Sequence, residues 1–209
     1  MIEKTIHVIW IGDQKKRPDD CIETWKEKNK DYKVKVWTDL ELQSEQWKTK
    51  SAIDKWYNKE INGAADVMRW EILYKYGGIA VDADSICVRS LEDWILEAEA
   101  FSCWENEVER PGLIACGFMG CKAQNIFVGK IIEKIVTDPT INNGPAWQKV
   151  GPLLITQMHR FEKYINLTIY PSHFFIPRHY DGLEYSGNGH VFAKQAWGST
   201  NKNYGNLKF

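Results

Sequence analysis

Apolar positions change period along the chain, and each change marks an element. Residues 4–12 (KTIHVIWIG) are β-branched, apolar and closed by a glycine, which predicts a first, buried strand. Residues 19–29 (DDCIETWKEKN) read as a helix with Pro18 and Asp19 at its start, and the alternating residues 32–38 (YKVKVWT) as a second strand. Residues 39–47 are polar and predict a helix. The strongest helical signal is at 63–78 (GAADVMRWEILYKYGG). Ala65, Met68, Ile72 and Tyr76 recur at helical spacing there, and Gly77-Gly78 stops the run. Residues 79–88 (IAVDADSICV) follow as one strand. Ser90 and Asp93 have capping-box spacing at the head of 90–100.

The second half is less regular. Residues 100–105 and 113–122 read as short strands, and 125–138 and 145–161 as helices. Residues 167–177 are extended and restricted by Pro171 and Pro177, and the tail 189–209 is mixed and aromatic. No repeat, low-complexity stretch or linker interrupts the chain, which predicts one domain over residues 1–209. Strands alternating with helices in the first half predict an α/β class with a mostly parallel central sheet, and the second half adds a small antiparallel edge.

Composition narrows the classes. The chain has 209 residues, room for a full core, and its formal net charge is −1. Disorder and a nucleic-acid footprint both need a charge excess that is absent, so no nucleic-acid partner is expected. Ten Trp, nine Tyr and eight Phe are a heavy aromatic load to be divided between core and stacking surface for flat ligands, a division that composition leaves open. Five cysteines with no C-x-x-C spacing predict reduced, mostly buried thiols, without zinc or a disulfide framework. No apolar run reaches signal-peptide or membrane-span length, so the expected location is cytoplasmic.

The chemistry concentrates at Asp82 and Asp84. On a strand of period two they point the same way, and like charges that close need a cation between them. Hard divalent ions, Mn2+ or Mg2+, take carboxylate oxygens and leave positions for water and phosphate. A solvated strand end or a turn is the plain alternative. On the preceding helix Asp66 and Arg69 lie three residues apart on one face of an unusually apolar helix. A surface ion pair is the plain reading. A polar pair aimed at the same pocket is the functional one, with a guanidinium suited to phosphate or sugar hydroxyls.

The stretch ADVMRWEILYKYGGIAVDAD resembles the central motif of DXD-containing, sugar-nucleotide-dependent glycosyltransferases, the mannosyltransferase and large clostridial toxin group (family 32-like). Ala65, Asp66, Arg69, Tyr74, Gly77, Gly78, Asp82 and Asp84 stand in register with the group's pattern, and IHVIWIG resembles its opening strand. Ala80 departs from the group's usual Tyr, which affects packing more than chemistry.

The resemblance implies a GT-A (Rossmann-like) fold and a metal-dependent sugar transfer, with retention, from a nucleotide-diphosphate donor to a glycan or other acceptor. UDP is favoured over GDP as the nucleotide, and polysaccharide synthesis is the process implied. The nucleotide-sugar half would span about residues 1–90 and the acceptor and lid half about 91–209. By resemblance Trp10 packs near the base, Asp66 and Arg69 meet the donor sugar, Asp82 approaches ribose and metal, and Asp84 binds the metal. Trp197, Gly198 and Ser199 match part of a C-terminal segment that completes the diphosphate and metal site. The group's histidine has no clear counterpart, and Gln195 or His190 is the candidate substitute.

Two rival readings stay open. The apolar strand and D-x-D also fit a haloacid-dehalogenase-like phosphatase with a nucleophilic aspartate. The later acidic pair of that class is missing, and Asp66 and Arg69 would be unexplained. A non-catalytic sugar-binding domain is the second rival, although both carboxylates are retained.

Overall fold

A computed structural model describes residues 1–161, 166–201, 204 and 207. The end of the predicted tail, at positions 202, 203, 205, 206, 208 and 209, lies outside the described residues. The first half runs β1 (Thr5–Ile9), α1 (Asp19–Lys28), β2 (Lys33–Trp37), α2 (Asp39–Ser44), α3 (Lys50–Lys59), α4 (Ile61–Tyr76), β3 (Gly78–Val81) and β4 (Ser85–Cys87). The second runs β5 (Ala100–Asn106), β6 (Arg110–Ile114), β7 (Phe118–Cys121), α5 (Ile126–Thr137), α6 (Ala146–Lys149), α7 (Pro152–Phe161), β8 (Leu167–Tyr170), β9 (Ala193–Gln195) and α8 (Gly198–Asn201).

The main sheet has the order β2-β1-β3-β7-β5-β6, with β8 also on β5. β1, β2, β3, β5 and β8 run one way, and β6 and β7 run against them. The central sheet is therefore mostly parallel, as expected, and β4 with β9 forms the separate antiparallel pair. Apolar side chains fill both faces, which is why the strands read as continuous apolar runs. Ile6, Val8, Ile79 and Val81 join a cluster with Trp25, Phe101 and Phe118. Ile9 and Ala80 join the opposite cluster with α4 and α5. Ala80 is fully buried there.

Four predicted elements come out differently. The single strand at 79–88 turns at Asp82–Asp84, because Ser85 N and Oγ both donate to Asp82 O, at 3.0 and 2.6 Å. The aspartates thus sit in a turn, and their convergence does not come from strand alternation. The strand at 113–122 is broken at 115–117. Each carbonyl there is claimed from outside that run: Ala115 O by Ser102 Oγ, Cys116 O by Arg69 and Gly117 O by Asp82 N. The helix at 145–161 breaks at Val150-Gly151, where Trp70 Nε1 takes Val150 O at 2.8 Å and Pro152 restarts the helix. The capping box at Ser90 does not form; a short 3-10 turn at Asp93–Glu97 follows Glu92 without a side-chain cap. α3 had no sequence expectation. It packs Ala52, Ile53 and Trp56 inward, and Trp56 lies against α4 at Gly63, where a Cβ would come within 2.7 Å of its ring.

The turn that delivers Asp82 is held from below. α4 ends at Gly77 and Gly78, with φ of 63° and 85°, which side-chain-bearing residues rarely adopt. His7 Nε2 lies 3.0 Å from Gly77 O, and its Nδ1 accepts from Trp37 Nε1 at 3.1 Å. Those partners require a neutral imidazole with the proton on Nε2. Burial lowers its pKa to about 4, against the pull of the Gly77 carbonyl and with help from Lys35 and Lys33. The unfolded chain takes up this proton near 6.5 and the folded one only near 4. His7 therefore costs no stability above pH 6.5, and the cost grows between pH 6.5 and 4 to about 3 kcal/mol. Urea unfolding across that window should show this loss, and His7→Gln should flatten it. Equal slopes in both proteins would refute the assignment.

Candidate active site

Arg69 is the hub. It projects from α4, one turn beyond Asp66, with 4% of its surface exposed. Nη1 donates to Asp66 Oδ1 at 3.0 Å and to Cys116 O at 2.6 Å, while Nη2 donates to Asp82 Oδ1. Nε is buried without a partner. A planar fork with several donors suits this task, and a point-charge ammonium does not. Glycines make room for the carboxylates it holds. A Cβ at Gly117 would collide with the Asp82 carboxylate, and one at Gly151 would come within 2.9 Å of Asp66 Oδ2.

Asp84 is tied from the other side. Its Oδ2 accepts from Gly198 N at 2.6 Å, and its Oδ1 from Gln195 Nε2 at 2.9 Å. The same amide nitrogen lies 3.3 Å from Asp82 Oδ2, so it bridges the pair. β9 carries Gln195 there by pairing opposite Ser85 on β4. Burial, then the charge of Asp82, pushes the Asp84 carboxyl up to about 6. Burial pushes Asp66 up to about 7 even though Arg69 opposes the rise. Three carboxylates face one guanidinium, and the site is short of positive charge.

A cavity of about 490 Å³ takes in Asp66, Arg69, Asp82, Asp84, Gln195, Trp10, Trp197 and Ser199. Trp10 packs edge-on against Tyr204 at 4.9 Å, and Asn62 Nδ2 bonds Ser199 Oγ. Trp197 has φ of 57° and anchors through Nε1 to Arg178 O at 2.9 Å. His190 is not brought to the site: it stacks on Phe192 and bonds Arg89. Of the two substitutes for the absent histidine, Gln195 is the one that reaches the aspartates.

Sequence reasoning missed Gly117, Glu105 and Trp147, and it named Gly198 without the role of its amide. The Gly198 amide and Gly117 act through backbone and empty space, which carry no residue-type signal. Glu105 and Trp147 also line the cavity, from segments without motif spacing.

Among the described residues, no three His, Cys, Asp or Glu side chains group to hold a metal. The oxygen-only pair Asp82 and Asp84, with an amide bridging them and charge uncompensated, still fits a hard divalent ion. Such ions use one or two carboxylates and complete their shells with water and phosphate.

Residues 15–101 match the family described as glycosyltransferase sugar-binding region containing DXD motif. No curated protein matches the chain significantly. Among solved structures, PaToxG glycosyltransferase is similar with a TM-score of 0.58 at 18% identity, over 75% of this chain and 67% of that one. The UDP-bound glycosyltransferase domain of the YGT toxin gives 0.58 at 10% identity, over 80% and 79%. The galactosyltransferase LgtC, in complex with donor and acceptor sugar analogues, gives 0.54 at 11% identity, over 98% and 96%. Among the described residues no helix is long and apolar enough to cross a membrane. The family match spans Asp66, Arg69, Asp82 and Asp84, and the fold is similar to that of these solved glycosyltransferases.

Proposed function

We propose that the chain moves a sugar from a UDP-sugar, or next in preference a GDP-sugar, to a hydroxyl acceptor in a reaction that needs Mn2+ or Mg2+ and retains anomeric configuration. The carrying observation is the convergence of Asp66, Arg69, Asp82 and Asp84 on one cavity with a deficit of positive charge. Trp10 supplies apolar area for the base. Arg69 and Asp66 orient the donor sugar through its hydroxyls, and Asp82 holds ribose and metal. Asp84 and Asp82 would hold the ion, with the Gln195 amide oxygen as a neutral third donor once the amide turns its nitrogen away, and the ion would supply Lewis-acid stabilisation of the leaving diphosphate. Ser199 and the Trp197 indole close the diphosphate side. UDP is preferred because a UDP-bound toxin glycosyltransferase domain shares the fold. Retention follows the resemblance. None of the motif residues is free to act as a nucleophile, which favours a front-face path in which the leaving phosphate takes the acceptor's proton.

The test is incubation with UDP- and GDP-sugars and Mn2+, with nucleotide release measured and the first-formed sugar anomer read by NMR. Melting is followed with Mn2+ and free UDP in parallel. Ligand at a hundred times its Kd should stabilise by about 2.7 kcal/mol, several degrees in a domain of this size. Binding without turnover would favour a sugar-binding domain, and hydrolysis of a generic phosphomonoester would favour the phosphatase.

A further inference from the structure

Glu105 is a buried carboxylate in the cavity that the donor reading leaves unused. It stands near the end of β5, its side chain 9% exposed. Its Oε1 lies 3.3 Å from Arg110 Nη1 and 3.6 Å from His179 Nε2, and His179 Nδ1 lies 2.9 Å from Asp181 Oδ1. Its Oε2 accepts no hydrogen bond from the described residues and is not among the buried unpartnered atoms, so it is open to a ligand.

Trp147 extends the same wall. Its indole is 37% exposed, and the Arg110 guanidinium sits 5.0 Å from the ring. Arg110 thus braces both Trp147 and Glu105. Gly151 lies between this wall and the donor side: a Cβ there would come within 2.9 Å of Asp66 Oδ2 and 3.1 Å of the Trp147 backbone. An aromatic face beside a fixed carboxylate with one free oxygen matches one ligand class closely. A pyranose offers an apolar C–H face to the ring and hydroxyl donors to the oxygen.

We propose that Glu105 and Trp147 form the acceptor subsite, that the acceptor is a saccharide, and that Glu105 determines specificity by accepting hydrogen bonds from its hydroxyls. A sugar acceptor presupposes the donor reaction proposed above. Arg110 is the positioning residue that fixes Oε1 and leaves Oε2 to the acceptor.

The experiment is saturation-transfer NMR on the protein with Mg2+ and UDP. The ligands are the methyl glycosides of glucose, galactose, mannose and N-acetylglucosamine, with short Tyr- and Ser-containing peptides as competitors. At least one glycoside should bind. Glu105→Gln should weaken it about 10- to 100-fold, the loss expected for a hydrogen bond to a charged group. Trp147→Ala, at a half-exposed position, should weaken it at least about 10-fold, and it decides the matter if Glu105→Gln does not fold. UDP binding without glycoside binding, or binding of the peptides alone, overturns the acceptor subsite and leaves the donor reading intact. Glycoside binding undiminished in both folded variants also overturns it. Failure of UDP itself to bind removes the donor reading, and the acceptor subsite with it.

Discussion

Asp84→Asn should abolish sugar transfer while making the metal-free protein more stable. The carboxylate is buried, and its neighbour Asp82 carries the same charge. Among the described residues, the Gln195 amide nitrogen and backbone N–H groups answer it, and no cation bonds it. A buried charge so weakly compensated costs stability, and removing it should return about 1–3 kcal/mol. At about 2–4 °C per kcal/mol, that is a rise of roughly 2–12 °C in melting temperature. Asparagine preserves the local geometry. Its carbonyl still accepts from Gly198 N, and Gln195 can turn its amide so that its oxygen accepts from the new N–H. Activity should go the other way. Outer-shell partners of a metal already cost about 10–100-fold when removed, and a direct ligand, the role proposed for Asp84, should exceed that. Donor turnover with Mn2+ and melting in EDTA measure the two effects. A less stable variant that still turns over donor would contradict both halves. The opposition of stability and activity is the expected mark of a residue kept for chemistry.

The same residues show how far the sequence could be read. β1, β2, α4 and α5 were legible because apolar periodicity and glycine stops agree with burial there. The grouping of Asp66, Arg69, Asp82 and Asp84 was legible because a helix, a two-glycine turn and a strand connect them within 19 residues. The reason for the aspartates' convergence was not legible. It comes from the turn at Ser85 and from Gln195, 111 residues after Asp84. Long-range partners of this kind leave no local pattern. The breaks at 115–117 and 150–151 were hidden for the same reason. Carbonyls there bond to Ser102, Arg69 and Trp70, which are distant in sequence, and an apolar run reads as continuous until those partners are known. Choosing Gln195 over His190 likewise required the β4–β9 ladder, because both residues are polar and both lie in the tail.

Arg69→Met should be the most destabilising single change in the site, and a second substitution should partly reverse it. Arg69 is buried and satisfies two carboxylates and one carbonyl at once. Methionine fills much of the stem's volume but leaves Asp66 and Asp82 facing each other without a cation. Breaking a buried pair by removing one partner costs about 3–5 kcal/mol, which here means a fall of roughly 6–20 °C in melting temperature. Lysine should do little better, because one ammonium cannot reach three acceptors in a fixed plane. At pH 9, above the value of about 7 that Asp66 has beside Arg69, Asp66→Asn in the Met background removes the more buried of the two stranded carboxylates. It should recover about 1–3 kcal/mol, an interaction that single variants cannot reveal. The same Asp66→Asn in the native background should stabilise less, since Arg69 already compensates that carboxylate. Urea unfolding of the four proteins closes the cycle. Equal effects of Asp66→Asn in both backgrounds would mean that Arg69 does not neutralise Asp66, and the guanidinium would then be no hub. Transfer activity separates the two roles. If Arg69 only braced the turn, the rescued double variant would regain turnover along with stability. If it also holds the donor, as proposed, the double variant should fold well and remain inactive.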